Sequence, residues 1–130
     1  MEYHAPEDNS QLPEMIHIIS EHPTYAFQQG DLVALVSSDT DPFWLAEVKE
    51  VSEESLEVHY FHHGPHKPGK KLVWKRHISE GTCRLYDVYV RFKTEDQLFT
   101  KRRTILKKAF KKISQACLTY NGIEVPDTFK

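Results

Sequence analysis

Short segments in which apolar and polar residues alternate dominate the chain between positions 25 and 93. Residues 44–51 (WLAEVKEV), 56–60 (LEVHY) and 86–93 (YDVYVRFK) place an apolar side chain at every second position. Successive side chains of a β-strand point to opposite faces, so each segment predicts a strand with one face turned inward. Residues 31–36 (DLVALV) form a continuous apolar run, which is typical of a strand covered on both faces.

Turn-forming residues separate these segments. A fifth candidate strand at 71–78 (KLVWKRHI) lies between a loop rich in His, Gly and Pro and the turn SEG at 79–81. The segments SSDTDP (37–42) and SEES (52–55) are further turns by composition. Five short strands with regular turns predict a mainly β fold, a small sandwich or barrel.

The period changes after residue 93. Thr94 followed by Gln97 has the spacing of a capping box, which marks the start of a helix. The apolar residues then recur close to helical spacing, at Leu98, Ile105, Ala109, Ile113 and Ala116. The pair Asn121–Gly122 ends the pattern. The sequence therefore predicts one long basic amphipathic helix over 94–120, packed against the strands.

The length of 130 residues predicts one domain. Its predicted parts are an N-terminal arm at 1–24, a β domain at 25–93, the helix at 94–120 and a tail at 121–130. The arm holds three prolines and an apolar cluster at 15–19 (MIHII), which fits a short helix or an extended segment. Neither a signal peptide nor a membrane segment is expected. Cys83 and Cys117 are expected to be free thiols of a reducing compartment.

Charge is distributed unevenly. Residues 1–60 hold one basic and 13 acidic residues, a net charge of −12, whereas residues 61–130 hold 16 basic and six acidic residues, a net charge of +10. Such a division is consistent with two faces that have different partners, and equally with halves that attract each other within one fold.

The stretch GDLVALVSSDTDPFWLAEVKEV, with LEVHYF after it, resembles a PWWP domain or, more broadly, a Tudor- or chromo-like barrel of chromatin proteins. Residues 30–33 resemble the first strand of that family, and residues 42–48 (PFWLAEV) resemble its Pro-x-Trp-Pro-Ala-x-Val motif, with Leu45 in place of the second proline. The resemblance covers about residues 27–92. It implies an SH3-like five-stranded barrel with a C-terminal α-helix packed against it.

This resemblance also implies an aromatic pocket that binds a methylated lysine of a histone tail in the nucleus. Trp44 would be its main wall and Tyr60 or Phe61 a second. A third wall would fall on Asp41, whose carboxylate can pair with a less methylated lysine, while Phe43 or Trp74 could supply the missing ring. Aromatic faces attract a poorly hydrated cation by ~0.5–2 kcal/mol per contact. The alternative is that these rings only fill the core.

Basic residues form a second candidate surface, for DNA. They lie around Trp74 and along the predicted helix, where few acids are interleaved to form ion pairs. The set comprises Lys70, Lys71, Lys75, Arg76, Lys101, Arg102, Arg103, Lys107, Lys108, Lys111 and Lys112. The alternatives are a protein-interaction or assembly module with a filled barrel mouth, and a non-specific nucleic-acid-binding barrel.

Histidines cluster in and beside the loop, at His59, His62, His63 and His66. No cysteine is adjacent and no helix positions the imidazoles as in two-histidine zinc motifs, so a surface loop without metal is expected. The sequence contains no G-x-S-x-G, phosphate-binding glycine loop or C-x-x-C pattern. It predicts a binding protein without enzymatic activity or cofactor.

Overall fold

The computed structural model describes residues 27–37 and 39–130. The N-terminal arm predicted at 1–24 lies outside these residues. Within them no helix has the length and apolar character needed to cross a membrane.

In the described part of the chain, five strands form one antiparallel sheet in the order β4-β3-β2-β1-β5. Their bounds are β1 Leu32–Leu35, β2 Trp44–Val51, β3 Ser55–His63, β4 Trp74–Arg84 and β5 Val88–Phe92. The chain runs as a meander from β1 to β4, and β5 then returns to pair with β1. The mainly β fold is confirmed. Among residues 27–37 and 39–130 the sheet is not closed, since β4 and β5 are its two edges, and a barrel is therefore not confirmed.

Strand β4 differs from its prediction. The segment SEG at 79–81 was expected to be a turn, yet it continues a strand that begins at Trp74 and ends at Arg84. Pairing with β3 outweighs the local turn signal, because His59 pairs with Glu80 and Val58 pairs with Gly81. The register then shifts, so that Phe61 pairs with Arg76 and Ile78 is left 89% exposed.

Both faces of the sheet are covered. One cluster of buried side chains, here called the helix-side core, comprises residues of the strands and of the C-terminal segments, including Leu32, Leu45, Phe61, Trp74, Ile105 and Ile113. The second, here called the strand-side core, includes Val33, Leu35, Ala46, Val48, Leu56 and Val58. Alternate residues of β1 enter different cores, which confirms that its continuous apolar run is covered on both faces.

The prediction of a single long helix over 94–120 is wrong. A four-residue helix α1 (Glu95–Leu98) and a 15-residue helix α2 (Lys107–Asn121) are separated by a tight turn. Thr100 and Thr104 explain the break, because their hydroxyl groups bond each other at 2.8 Å and the Thr100 hydroxyl accepts backbone N–H bonds from Arg102 and Thr104. Such local bonds compete with helical ones.

The ends of the helical region also differ in part from prediction. Thr94 makes no side-chain cap, and Gln97 instead accepts a bond from the backbone N–H of Lys93. Gly122 adopts a left-handed conformation with φ of 68° and ends α2 as predicted. All five residues of the predicted apolar stripe are buried, although Leu98 and Ile105 lie outside α2.

Candidate functional site

A cavity of about 370 Å³ opens where the start of β2, the end of β3 and the start of β4 lie together. Its position follows from strand pairing, which places Ala46 beside Tyr60 and His63 beside Trp74. Its lining residues are Asp41, Trp44, Tyr60, Phe61, His62, His63, Trp74 and Ser79. Most of them carry a ring, as expected of a site for an apolar or cationic group.

Trp44 and Tyr60 form one wall. Their rings meet edge to face, with centroids 5.3 Å apart and planes at 73°. Both residues are partly buried against the strand-side core, so some ring surface of each remains uncovered. Tyr60 lies directly over Gly81, where an added side chain would force its ring to move. Burial raises the pKa of the Tyr60 hydroxyl, so the phenol is neutral at physiological pH.

Phe61 and Trp74 also line the cavity and belong to the helix-side core. Phe61 is 4% exposed, packs edge to face against Phe99 and has the guanidinium groups of Arg76 and Arg103 over its ring at 5.4 and 5.7 Å. Trp74 is 1% exposed, and among the described residues its indole N–H has no hydrogen-bond partner. A ligand or a water molecule could satisfy this buried donor.

The predicted pocket residues do not all reach the cavity. Trp44, Tyr60, Phe61 and Asp41 line it, whereas Phe43 is not among its lining residues. Phe43 is fully buried and stacks against Trp74 with ring centroids 6.0 Å apart, so it supports Trp74 from behind. Trp74 is 1% exposed, so its ring is not a surface platform for stacking on nucleic acid bases.

Asp41 and His63 give the cavity a polar edge. The Asp41 carboxylate lies 2.8 Å from Nε2 of His63, and both side chains are mostly buried. The turn before β2 presents Asp41, since its backbone N–H donates to Asp39 at 2.9 Å. This hydrogen bond is the main reason that the pKa of Asp39 lies below its usual value.

Three lining residues were missed as site residues by the sequence prediction: His62, His63 and Ser79. His62 stacks on His77 with centroids 3.9 Å apart, and its Nε2 lies 3.0 Å from the Ser79 hydroxyl. Burial, followed by repulsion from His77 and His63, lowers the pKa of His62. The available signal was the extension of the strand pattern from Tyr60 to His63, which the glycine and proline of the adjoining loop obscured.

The predicted nucleic-acid residues divide into two groups. Arg76 bonds Glu47 and Glu95, and Arg103 also bonds Glu95. These two arginines are engaged by the acids of the protein itself. The remaining nine are exposed: Lys70, Lys71, Lys75, Lys101, Arg102, Lys107, Lys108, Lys111 and Lys112. The last four share one face of α2 by their spacing.

The acidic and basic halves meet inside the fold at several points. Besides the bond between Glu47 and Arg76, the buried Asp31 lies 3.5 Å from Lys93 and 3.9 Å from Arg91. Attraction between the halves thus accounts for part of the charge division seen in the sequence.

The two cysteines are free, as predicted, and both are buried. Burial raises the pKa of each thiol to about 12, so both are protonated and poorly nucleophilic near neutral pH.

Comparison of the chain with models of known families, with curated proteins and with solved structures gave no match. The resemblance to PWWP and Tudor domains therefore stays a prediction.

Proposed function

We propose that this chain is a chromatin-associated, nuclear binding module of the PWWP or Tudor type, whose sheet is an SH3-like barrel and whose cavity binds a methylated lysine of a histone tail. The observation that supports this most is the cavity of about 370 Å³, which is lined by the rings of Trp44, Tyr60, Phe61 and Trp74 and by the carboxylate-bearing Asp41.

The chemistry of the lining suits a methylated ammonium group. Methylation keeps the positive charge and removes hydration, so ring faces compete well with water for the group, at ~0.5–2 kcal/mol per contact. Asp41 adds a carboxylate that can accept a hydrogen bond from a mono- or dimethylammonium group, which still carries an N–H. Trimethyl-lysine has no such donor. The proposal therefore includes a preference for the lower methylation states.

The exposed basic face of α2 supports accessory contact with DNA. Lys107, Lys108 and Lys111 are exposed on one side of the helix, and no acid lies in its first turn. Phosphate contacts by such a face hold the module near chromatin without reading sequence. The same lysines favour non-specific nucleic-acid binding as a second candidate function.

The test is a titration with histone-tail peptides that carry unmodified, mono-, di- or trimethyl-lysine at one position. Tryptophan fluorescence reports binding, because both tryptophans line the cavity, and calorimetry gives the affinity. We expect mono- or dimethyl-lysine to bind most tightly and unmodified lysine most weakly. Equal responses to all four forms, or none to any, across a panel of tail positions would contradict the proposal.

A further inference from the structure

Asp41, His63 and His66 form a compact group beside the cavity. One potential ligand atom from each residue lies within 4.8 Å of those from the other two. His63 ends β3, His66 follows in the loop and Asp41 precedes β2, so strand pairing brings together groups that lie 22 to 25 positions apart. The rings of His63 and His66 have centroids 5.6 Å apart.

The hydrogen bonds of His63 make this group unusual. Its Nδ1 lies 2.6 Å from the carbonyl oxygen of Gly64, and its Nε2 lies 2.8 Å from the Asp41 carboxylate. A neutral imidazole has only one N–H, and here both ring nitrogens face acceptor oxygens. When Nδ1–H donates to Gly64, the lone pair of Nε2 points at a negative oxygen. A positive charge between Nε2 and the carboxylate removes this conflict.

We propose that Asp41, His63 and His66 bind a divalent transition metal ion of the zinc type. The bond from His63 Nδ1–H to a backbone carbonyl is the outer contact that commonly fixes the tautomer of a metal-bound histidine and turns Nε2 to the ion. Two imidazoles and one carboxylate are a usual ligand set for zinc, whereas calcium and magnesium select oxygen ligands alone.

The geometry requires a small adjustment. Tetrahedral ligands at about 2.0–2.1 Å from zinc lie about 3.3 Å apart, so Asp41 and His63 separate slightly on binding. His66 is exposed in the loop and has room to approach. The ring of Phe129, with its centroid 4.6 Å from that of His66, limits the movement of the imidazole on one side. Three protein ligands leave a fourth position for water or another donor.

Binding is tested on the full chain with Co²⁺ and Zn²⁺. Cobalt in a tetrahedral site gives an intense visible absorption that zinc abolishes by displacement. Cu²⁺ also quenches tryptophan emission, and the Trp74 ring lies 4.7 Å from that of His63. We expect Asp41→Asn, His63→Ala and His66→Ala each to lower the affinity at least about 100-fold, since even the removal of an outer contact costs 10–100-fold.

His59→Ala and His77→Ala are the matched controls, because each removes an imidazole of β3 or β4 that lies outside the group. All variants retain His4, His17 and His22, so binding by those residues is constant across the set. Unchanged affinity in Asp41→Asn and His66→Ala would overturn the proposal, as would the absence of metal binding by the folded wild-type chain. Absence of metal binding would leave an imidazolium–carboxylate pair as the explanation of the close contact between His63 and Asp41. Circular dichroism of each variant separates loss of ligand from loss of fold.

The metal-binding experiment is independent of the proposed function, because it contains no histone peptide. A metal ion would occupy Asp41, so the peptide titration above is run with and without chelator.

Discussion

The ring of Tyr60 occupies the space that a side chain at Gly81 would take. An ideal Cβ at position 81 would lie 2.6 Å from a ring carbon and 2.7 Å from the hydroxyl oxygen of Tyr60. Glycine is favoured here because of this contact and not because of a left-handed φ. The missing side chain on β4 thus lets Tyr60 lie across the sheet and form a wall of the cavity.

Gly81→Ala is expected to destabilise the protein by about 1–3 kcal/mol, because the new methyl group must displace an aromatic ring. Urea unfolding measures this change in the free energy of unfolding. Gly64→Ala is the control, since no atom of the described residues lies within 4 Å of its added Cβ. Equal stability of the two variants would show that Tyr60 moves aside without cost.

Trp44→Leu is expected to weaken binding of the preferred methylated peptide about 2- to 30-fold, which corresponds to the energy of one cation–π interaction. Leucine retains much of the apolar volume and lacks the π-face. Calorimetry compares this variant with Tyr86→Leu, which removes a 67% exposed ring outside the cavity. A methylated peptide that binds Trp44→Leu as tightly as wild type would exclude the indole from recognition.

Glu95 links Arg76 and Arg103 in one charged network that covers Phe61. Burial acts to raise the pKa of Glu95, but hydrogen bonds from Arg103 and Arg76 outweigh it, and the pKa lies below its usual value of 4.5. A carboxyl whose folded pKa is lowered stabilises the protein above its unfolded pKa. That contribution disappears as the pH falls through the folded value.

Glu95→Gln should therefore destabilise the protein by about 1 kcal/mol at pH 7, in line with part-exposed ion pairs. The difference from wild type should shrink as the pH falls below 4.5. Denaturant unfolding at several pH values measures both effects, and Glu53→Gln, in an exposed turn, is the control. A difference that stays constant down to the acid limit would contradict the role of the ionised carboxylate.

The triple variant Lys107→Gln, Lys108→Gln and Lys111→Gln is expected to weaken binding to duplex DNA. The slope of log affinity against log salt should become shallower by about 0.9 for each phosphate that the variant no longer neutralises. Fluorescence anisotropy over a salt series measures the slope, with Lys49→Gln on β2 as the control. An unchanged slope would place any DNA contact elsewhere.

The local pattern of residues along the chain was sufficient to predict much of the fold. Alternation predicted β2 over its full length, Trp44–Val51, and the apolar run at 31–36 predicted a strand covered on both faces. The Asn–Gly pair located the end of α2. Trp44, Tyr60, Phe61 and Asp41 were predicted as pocket residues from a family resemblance, and the structure brings these four to one cavity.

What the sequence by itself determined is the set of segments that can bury one face, because the spacing of apolar residues is a local property. Only the tertiary structure decided that SEG continues β4, that threonine hydroxyl groups interrupt the predicted helix, and that Phe43 lies behind Trp74. It also brought Asp41 to His63 and Tyr60 to Gly81. These outcomes depend on strand register and on contacts between distant residues, which no local period encodes.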